Sequence, residues 1–196
     1  MVRSAASRRL APEEPLPVGF YRRNGLTVAR DLLGRTLCRR LPAGRTLRGR
    51  IVEVEAYDGF HDRASHAYRG RTPRTDVMFR SGGVAYVYLI YGMHHCLNLV
   101  SAHEGYPSAV LVRALELPDG STAASGPGRL AREFRIDRTD DGVSLSGPSL
   151  WLEAGSPVAD REVRRTGRIG VDYAGVWASA RYRFLIDGHP AVSGRR

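Results

Sequence analysis

The chain has 196 residues, 42% of them hydrophobic, enough for one domain with a real core and too ordinary a composition for wholesale disorder. Its 30 basic and 20 acidic residues give a formal charge of +10, the balance of a protein that meets polyanions such as nucleic acid or an anionic membrane. No apolar run approaches the roughly 20 residues of a membrane-spanning helix. The two distant cysteines, Cys38 and Cys96, argue against a disulfide framework and fit a reducing cytoplasm.

In chain order, residues 1 to about 18 read as a basic arm. Arg3, Arg8 and Arg9 precede the first acid, Glu13, while Pro12, Pro15 and Pro17 oppose regular structure. No apolar segment there resembles a secretory signal. A short amphipathic helix is predicted over Thr27–Leu33, with Gly34 to end it. Gly49 to Tyr57 alternates as a strand, with Val52, Val54 and Ala56 on one face and Glu53, Glu55 and Tyr57 on the other. Val84–Tyr91 and His95–Val100 flank Gly92-Met93 as a β-hairpin. Ala109–Leu115 reads as a further strand, 125–136 as a helix and 181–186 as a last strand. Consecutive strands with few helices predict an α+β fold, a single compact domain with a curved, largely antiparallel sheet.

Several side chains stand out against this pattern. Glu53 and Glu55 are surface acids if their face is solvated. Beside Tyr57 in a cleft, Glu55 would instead be a desolvated general base. Arg113 interrupts Val110–Leu115 and shares a face with Leu111 and Leu115. It is either paired with an anion or an edge arginine reaching water. Tyr86 and Tyr88 share a face, whereas Tyr91 and Met93 fall at the hairpin tip, where burial is hard and a wedge between bases is apt. Asn98 is a hydrogen-bonded core amide or a reader of base edges. Arg69, Arg71 and Arg74 form a solvated loop or a phosphate clamp, and Arg129 opens a helix that could meet another phosphate. His61, His66, His94 and His95 match no HExxH or zinc-deaminase spacing, so no metal site is expected. Neither a P-loop, GxGxxG nor GxSxG is present, so no nucleotide or dinucleotide cofactor is expected. All 30 basic residues are arginine, so no internal lysine can form a Schiff base.

Taken in order, a set of runs resembles the alkyladenine (3-methyladenine) DNA glycosylases. They are Arg48-Gly49-Arg50-Ile51-Val52-Glu53-Val54-Glu55-Ala56-Tyr57; Thr72-Pro73-Arg74 with Met78-Phe79; Tyr86 to Met93 with Asn98; Leu111 to Glu116; Ser125-Gly126-Pro127; and Arg168 to Val171 followed by Ala174-Gly175 and Trp177. The resemblance covers about Leu26 to Ile186. It implies a metal-free fold without a helix-hairpin-helix, with residues 19–196 as the glycosylase domain. It implies a monofunctional enzyme, expected to act as a cytoplasmic monomer, that flips a damaged purine from double-stranded DNA. The lesions would be 3-methyladenine, 7-methylguanine, hypoxanthine or ethenoadenine.

By that resemblance Glu55 is the general base, and Arg113 and the carbonyl of Val171 hold the water. Tyr57, His66 and Tyr88 wall the base pocket, Asn98 disfavours guanine, and Tyr91 is the wedge. The sequence departs from relatives at His94-His95 and at Gly128-Arg129, and the stretch from Pro118 to Ser125 looks shorter than in mammalian ones. A non-catalytic nucleic-acid-binding module is the alternative. A lipid-binding reading lacks a basic amphipathic helix of useful length.

Overall fold

One long strand organises the sheet. In the computed structural model, which describes residues 14–194, β2 (Thr46–Asp58) pairs along one edge with β5 (Ser108–Glu116). On its other edge, its first part pairs with β1 (Thr36–Arg40) and its later part with β8 (Arg183–Ile186). The hairpin strands β3 (Ala85–Ile90) and β4 (His94–Val100) extend the sheet beyond β5. The strand β6 (Leu150–Glu153) lies beyond β1, and β7 (Val163–Thr166) beyond β8. Every pairing between these strands is antiparallel. With α1 (Gly25–Leu32) and α2 (Pro127–Glu133), this is the expected α+β fold.

The main core lies between the sheet and the helices. Val28, Ala29 and Leu32 of α1 and Leu130 of α2 join Val52, Val54, Val110 and Val112 from the sheet. Each valine and leucine among them contributes about 1.5–3 kcal/mol on leaving water. A second cluster, with Met78, Phe79, Tyr86, Tyr88 and Leu111, forms on the opposite face. Strict alternation breaks between Ile51 and Val54, where β2 and β5 slip in register. Ile51 and Val52 both enter the main core, as do Ala114 and Leu115. Arg113 therefore shares its face with Leu111 but not with Leu115. Irregularities of this kind re-aim side chains beside functional sites.

The helix boundaries differ from the sequence reading for local reasons. Asn24 caps α1, its Oδ1 accepting the Leu26 N–H at 2.9 Å, so the helix starts before Thr27. Gly25 fits there because a Cβ would lie 2.3 Å from Ser108 Oγ. The helix α2 is shorter than 125–136 because Gly126 at φ 117° and Arg135 at φ 50° cannot be helical. The strands β1, β6 and β7 escape the periodicity argument: four or five residues give little pattern, and all of β6 is buried.

The folded part begins before residue 19. Leu16 is buried and its N–H donates to Leu152 O at 2.7 Å, and Pro15 bridges to Glu153. The rest of the expected arm, residues 1–13, lies outside the described residues. Among the described residues no helix is long and apolar enough to cross a membrane.

The link from α1 to β1 depends on Gly34. Its φ is +85°, and a Cβ there would lie 2.0 Å from the Ser156 carbonyl oxygen. Gly34→Ala is expected to lower the unfolding free energy by more than about 2 kcal/mol, combining left-handed strain with a backbone clash. Urea denaturation of both proteins measures this; an unchanged midpoint would contradict it.

Candidate active site

The site is built on one row of the sheet. Directly opposed residues run Tyr86, Asn98, Leu111, Glu55, Arg183 across β3, β4, β5, β2 and β8. The pleat places this row on one face, opposite the main core. Two loops fold over it, one carrying Asp62 to Phe79 and the other Gly167 to Val171.

Glu53 and Glu55 are both fully buried, which rules out the solvated-face reading. Arg113 joins them: its Nε donates to Glu53 Oε1 at 2.9 Å and its Nη1 to Glu55 Oε2 at 3.2 Å. The third nitrogen, Nη2, donates to Ser193 Oγ at 3.3 Å. Burial alone would lower the Arg113 pKa, but the charges of Glu55 and Glu53 outweigh it and the net direction is upward. An edge arginine reaching water is therefore excluded. Glu53 accepts further bonds from Arg183 Nε at 2.7 Å, Ser193 N at 2.6 Å and Ser193 Oγ at 3.0 Å. Such satisfaction is what burial of a carboxylate demands.

Glu55 has two more donors. The Tyr57 hydroxyl donates to Oε2 at 3.0 Å and the Ile169 N–H to Oε1 at 2.8 Å. Burial, then the Glu55 charge, pushes the Tyr57 phenol well above its usual pKa, so it acts as a donor. The Ile169 amide is held by its neighbour. Arg168 makes a fully buried pair with Asp62 and donates to the carbonyl oxygens of Ala56 at 2.9 Å and Trp177 at 3.2 Å. Asp62 in turn accepts the Ala64 N–H at 3.1 Å. One guanidinium thus clasps both loops to β2, and it lies 4.7 Å from the centre of the Tyr57 ring.

In front of this array is a cavity of about 400 Å³, large enough for a heterocyclic ligand. Tyr57, His66, Tyr88, Asn98, Arg113 and Val171 line it, together with Tyr86 and Tyr173. Glu55 stands behind this wall. Cross-strand pairing of Tyr86 with Asn98 and of Tyr88 with Cys96 lays down the aromatic side. His66 packs edge-on against Tyr88 with ring centres 4.5 Å apart, and its Nδ1 lies 3.1 Å from the Tyr86 hydroxyl. Asn98 Nδ2 donates to Tyr86 O at 3.2 Å and to Cys96 O at 3.5 Å. The Val171 carbonyl accepts the Ala174 N–H at 2.9 Å and retains a second lone pair.

The remaining expected contacts are dispersed. Tyr91 is 84% exposed and Met93 71% exposed at the hairpin tip, and Tyr91 also reaches the cavity mouth. Tyr91 and Gly92 both have positive φ, 52° and 68°, closed by a Met93 N–H to Ile90 O bond of 3.1 Å. The turn at Tyr91-Gly92 sits in a three-residue connection, since Ile90 pairs with His94. Arg74 lies 5.6 Å from the centre of the Tyr88 ring, at the cavity rim. Arg71 is paired with Asp76 at 2.7 Å and covers Phe79. Arg69 lines a neighbouring cleft, and Arg129 is exposed on α2. The two departures meet in space: a Cβ on Gly128 would lie 3.1 Å from His94, so the glycine admits the histidine. Among the described residues no group of three or more His, Cys, Asp or Glu could hold a metal ion.

Asp62, Arg168, Tyr173 and Ser193 were not singled out from sequence, and Glu53 was weighed only as a surface acid. Glu53 could have been found, since it shares the alternating face of Glu55. Arg168 sits in a matched run but nothing there marks its partner, and Ser193 carries no local signal.

Desolvation, then the charge of Arg74, lowers the His66 pKa from 6.5 to about 4. The imidazole is therefore neutral at pH 7. The unfolded chain protonates first, so this group favours the folded state above pH 6.5, and its contribution falls as pH drops towards 4. The urea midpoint of wild type is expected to fall relative to that of His66→Gln between pH 7 and pH 4.5. An equal difference at both values would contradict a neutral, desolvated ring.

The comparisons with known proteins place the chain in a family. The family model described as Methylpurine-DNA glycosylase (MPG) matches residues 19–190. A protein of Myxococcus xanthus named "Putative 3-methyladenine DNA glycosylase" is 50% identical over 182 residues, covering 91% of this chain and 93% of its own. Proteins with the same name from Methanocella arvoryzae and Streptomyces avermitilis are 47% and 45% identical, covering 92% and 95% of this chain and 96% and 94% of theirs. The chain belongs to the methylpurine-DNA glycosylase family.

Proposed function

We propose that this chain hydrolyses the N-glycosidic bond of alkylated or deaminated purines that it flips out of duplex DNA. The observation that carries the reading is Glu55, buried beside Arg113 directly behind an aromatic cavity. A binding module has no need of two buried carboxylates sharing an arginine.

The base enters between Tyr57, His66 and Tyr88 after rotation of the nucleotide by ~180°. Tyr91 fills the space left in the stack, supported by its exposure at a hairpin tip. Aromatic faces attract a cationic methylpurine by about 0.5–2 kcal/mol per contact. Arg168 and Arg74 already draw on the Tyr57 and Tyr88 rings, so charge alone is a weaker selector here than in a bare aromatic cage. A neutral His66 avoids adding repulsion, and Asn98 selects against guanine at the base edge.

Glu55 Oε1 has one protein donor, Ile169 N–H, and the Val171 carbonyl has one, Ala174 N–H. Each oxygen retains acceptor capacity for a water. Glu55 is sealed from solvent, so the water reaches Oε1 as the incoming nucleotide shifts the wall in front of it. The water oxygen then bonds to C1′ as its proton passes to Glu55, and the glycosidic electron pair leaves with the base. A methylpurine cation departs neutral, whereas hypoxanthine or ethenoadenine needs a proton from solvent. The carboxylate charge also stabilises the oxocarbenium-like transition state. The products are free base and an abasic site. No internal lysine is present to cut the strand afterwards.

Glu55→Gln is expected to bind lesion-containing duplex as wild type does and to release base at least about a hundredfold more slowly. Chromatography of free base from a 7-methylguanine oligonucleotide measures this, and full activity in the variant would remove the central claim. Tyr91→Ala is expected to slow single-turnover excision much more on duplex than on single-stranded substrate. Equal slowing on both would argue against a wedge.

A further inference from the structure

A second cleft, of about 520 Å³, opens on the far side of the wall formed by His66 and Tyr173. Those two residues line both cavities. Arg63, Ser65, Tyr68 and Arg69 complete the second one, and no acidic residue lines it. The short 3-10 turn His66–Arg69 produces this arrangement: Ala67 plugs inward while Tyr68 and Arg69 face out. Ser65 caps the turn, its hydroxyl accepting the Ala67 N–H at 3.3 Å.

The charges are uncommitted. Among the described residues neither Arg63 nor Arg69 has a carboxylate within salt-bridge distance, whereas nearby Arg71 is held by Asp76. Arg63 lies 5.8 Å from the centre of the Tyr68 ring. Tyr173 is 71% exposed, yet its hydroxyl donates to Ala64 O at 3.3 Å, so the ring stands fixed between the two cavities. Two free guanidinium groups beside two presented aromatic rings make a surface for nucleic acid without sequence preference.

We propose that this cleft is a nucleotide subsite for the damaged strand next to the flipped nucleotide. Arg63 and Arg69 hold a phosphodiester, and Tyr68 and Tyr173 meet the adjoining sugar or base. The proposal rests on the glycosylase reading, because a nucleotide rotated into the first cavity remains covalently joined to its neighbours. The strand has to leave that cavity across one of its walls, and the wall of His66 and Tyr173 leads into the basic cleft. Arg69 was expected on phosphate from sequence; Arg63, Tyr68 and Tyr173 extend that contact into a site.

The test is equilibrium binding to a duplex carrying a non-hydrolysable abasic-site analogue, across a range of salt concentrations. Single methylphosphonate linkages are placed on either side of the analogue and on the opposite strand. For wild type, one neutral linkage beside the lesion on the damaged strand should weaken binding about fivefold or more. Arg63→Ala should weaken binding to the unmodified duplex similarly and flatten the log–log salt slope by about 1. That variant should lose no further affinity to the same methylphosphonate. Tyr68→Ala should weaken binding with the salt slope kept. A wild-type slope in Arg63→Ala, or phosphate sensitivity confined to the undamaged strand, overturns the proposal. Base release by wild type from alkylated duplex is measured in parallel. No release defeats the glycosylase reading, while release with an unchanged slope in Arg63→Ala defeats the subsite alone.

Discussion

Two carboxylates on one strand, both without solvent, cannot coexist unless a cation stands between them. Arg113 supplies that cation, and the irregular register of β2 and β5 delivers it to the right face. Removing a partner from such a cluster typically costs 3–5 kcal/mol, because the charge left behind is neither solvated nor paired. The constraint spreads outward. Glu53 needs Arg183 and Ser193 as well, so β8 and the segment after it are tied to the centre of the sheet. The aromatic cavity then has a back wall that is electrostatically fixed before any ligand arrives.

The loops follow the same logic with a second arginine. Arg168 satisfies Asp62, two carbonyl oxygens and a tyrosine face at once. Fixing Arg168 fixes the Ile169 amide on Glu55 and, two residues on, the carbonyl of Val171. Preorganisation of this kind lets dipoles act on a developing charge without reorganising during the reaction. Lysine could not replace either arginine, because each uses the planar fork to serve several acceptors in fixed directions.

Much of this was legible in the sequence, and the limits have physical causes. The alternation of Gly49 to Tyr57 and the hairpin around Gly92 are local patterns, and both elements formed, with strand ends shifted by a residue or more. Glu55, Arg113, Tyr88 and Asn98 lie on matched runs in neighbouring strands, and the sheet carries them to one cavity, with Glu55 behind its wall. Glu53 was misread as a surface acid because its partners are distant: Ser193 is 140 residues away along the chain. Arg113 was given the wrong companion, Leu115, because a register slip is invisible to a strict period of two. Arg71 and Arg74 look alike as basic residues in a loop. Asp76 and the Tyr88 ring separate them, and tertiary neighbours of that kind leave no mark in spacing.

The hairpin tip has a consequence for the proposed wedge. A tyrosine at positive φ costs free energy that glycine would not incur, and here the strand pairing of the folded hairpin offsets it once, during folding. The backbone carrying the protruding ring is therefore already shaped before any contact. In the proposed wedge role, such a tip would press on the base steps of a duplex in turn. Well-stacked steps would resist it. Steps loosened by a lesion would yield, a mechanical sampling of stacking strength ahead of any chemistry in the cavity.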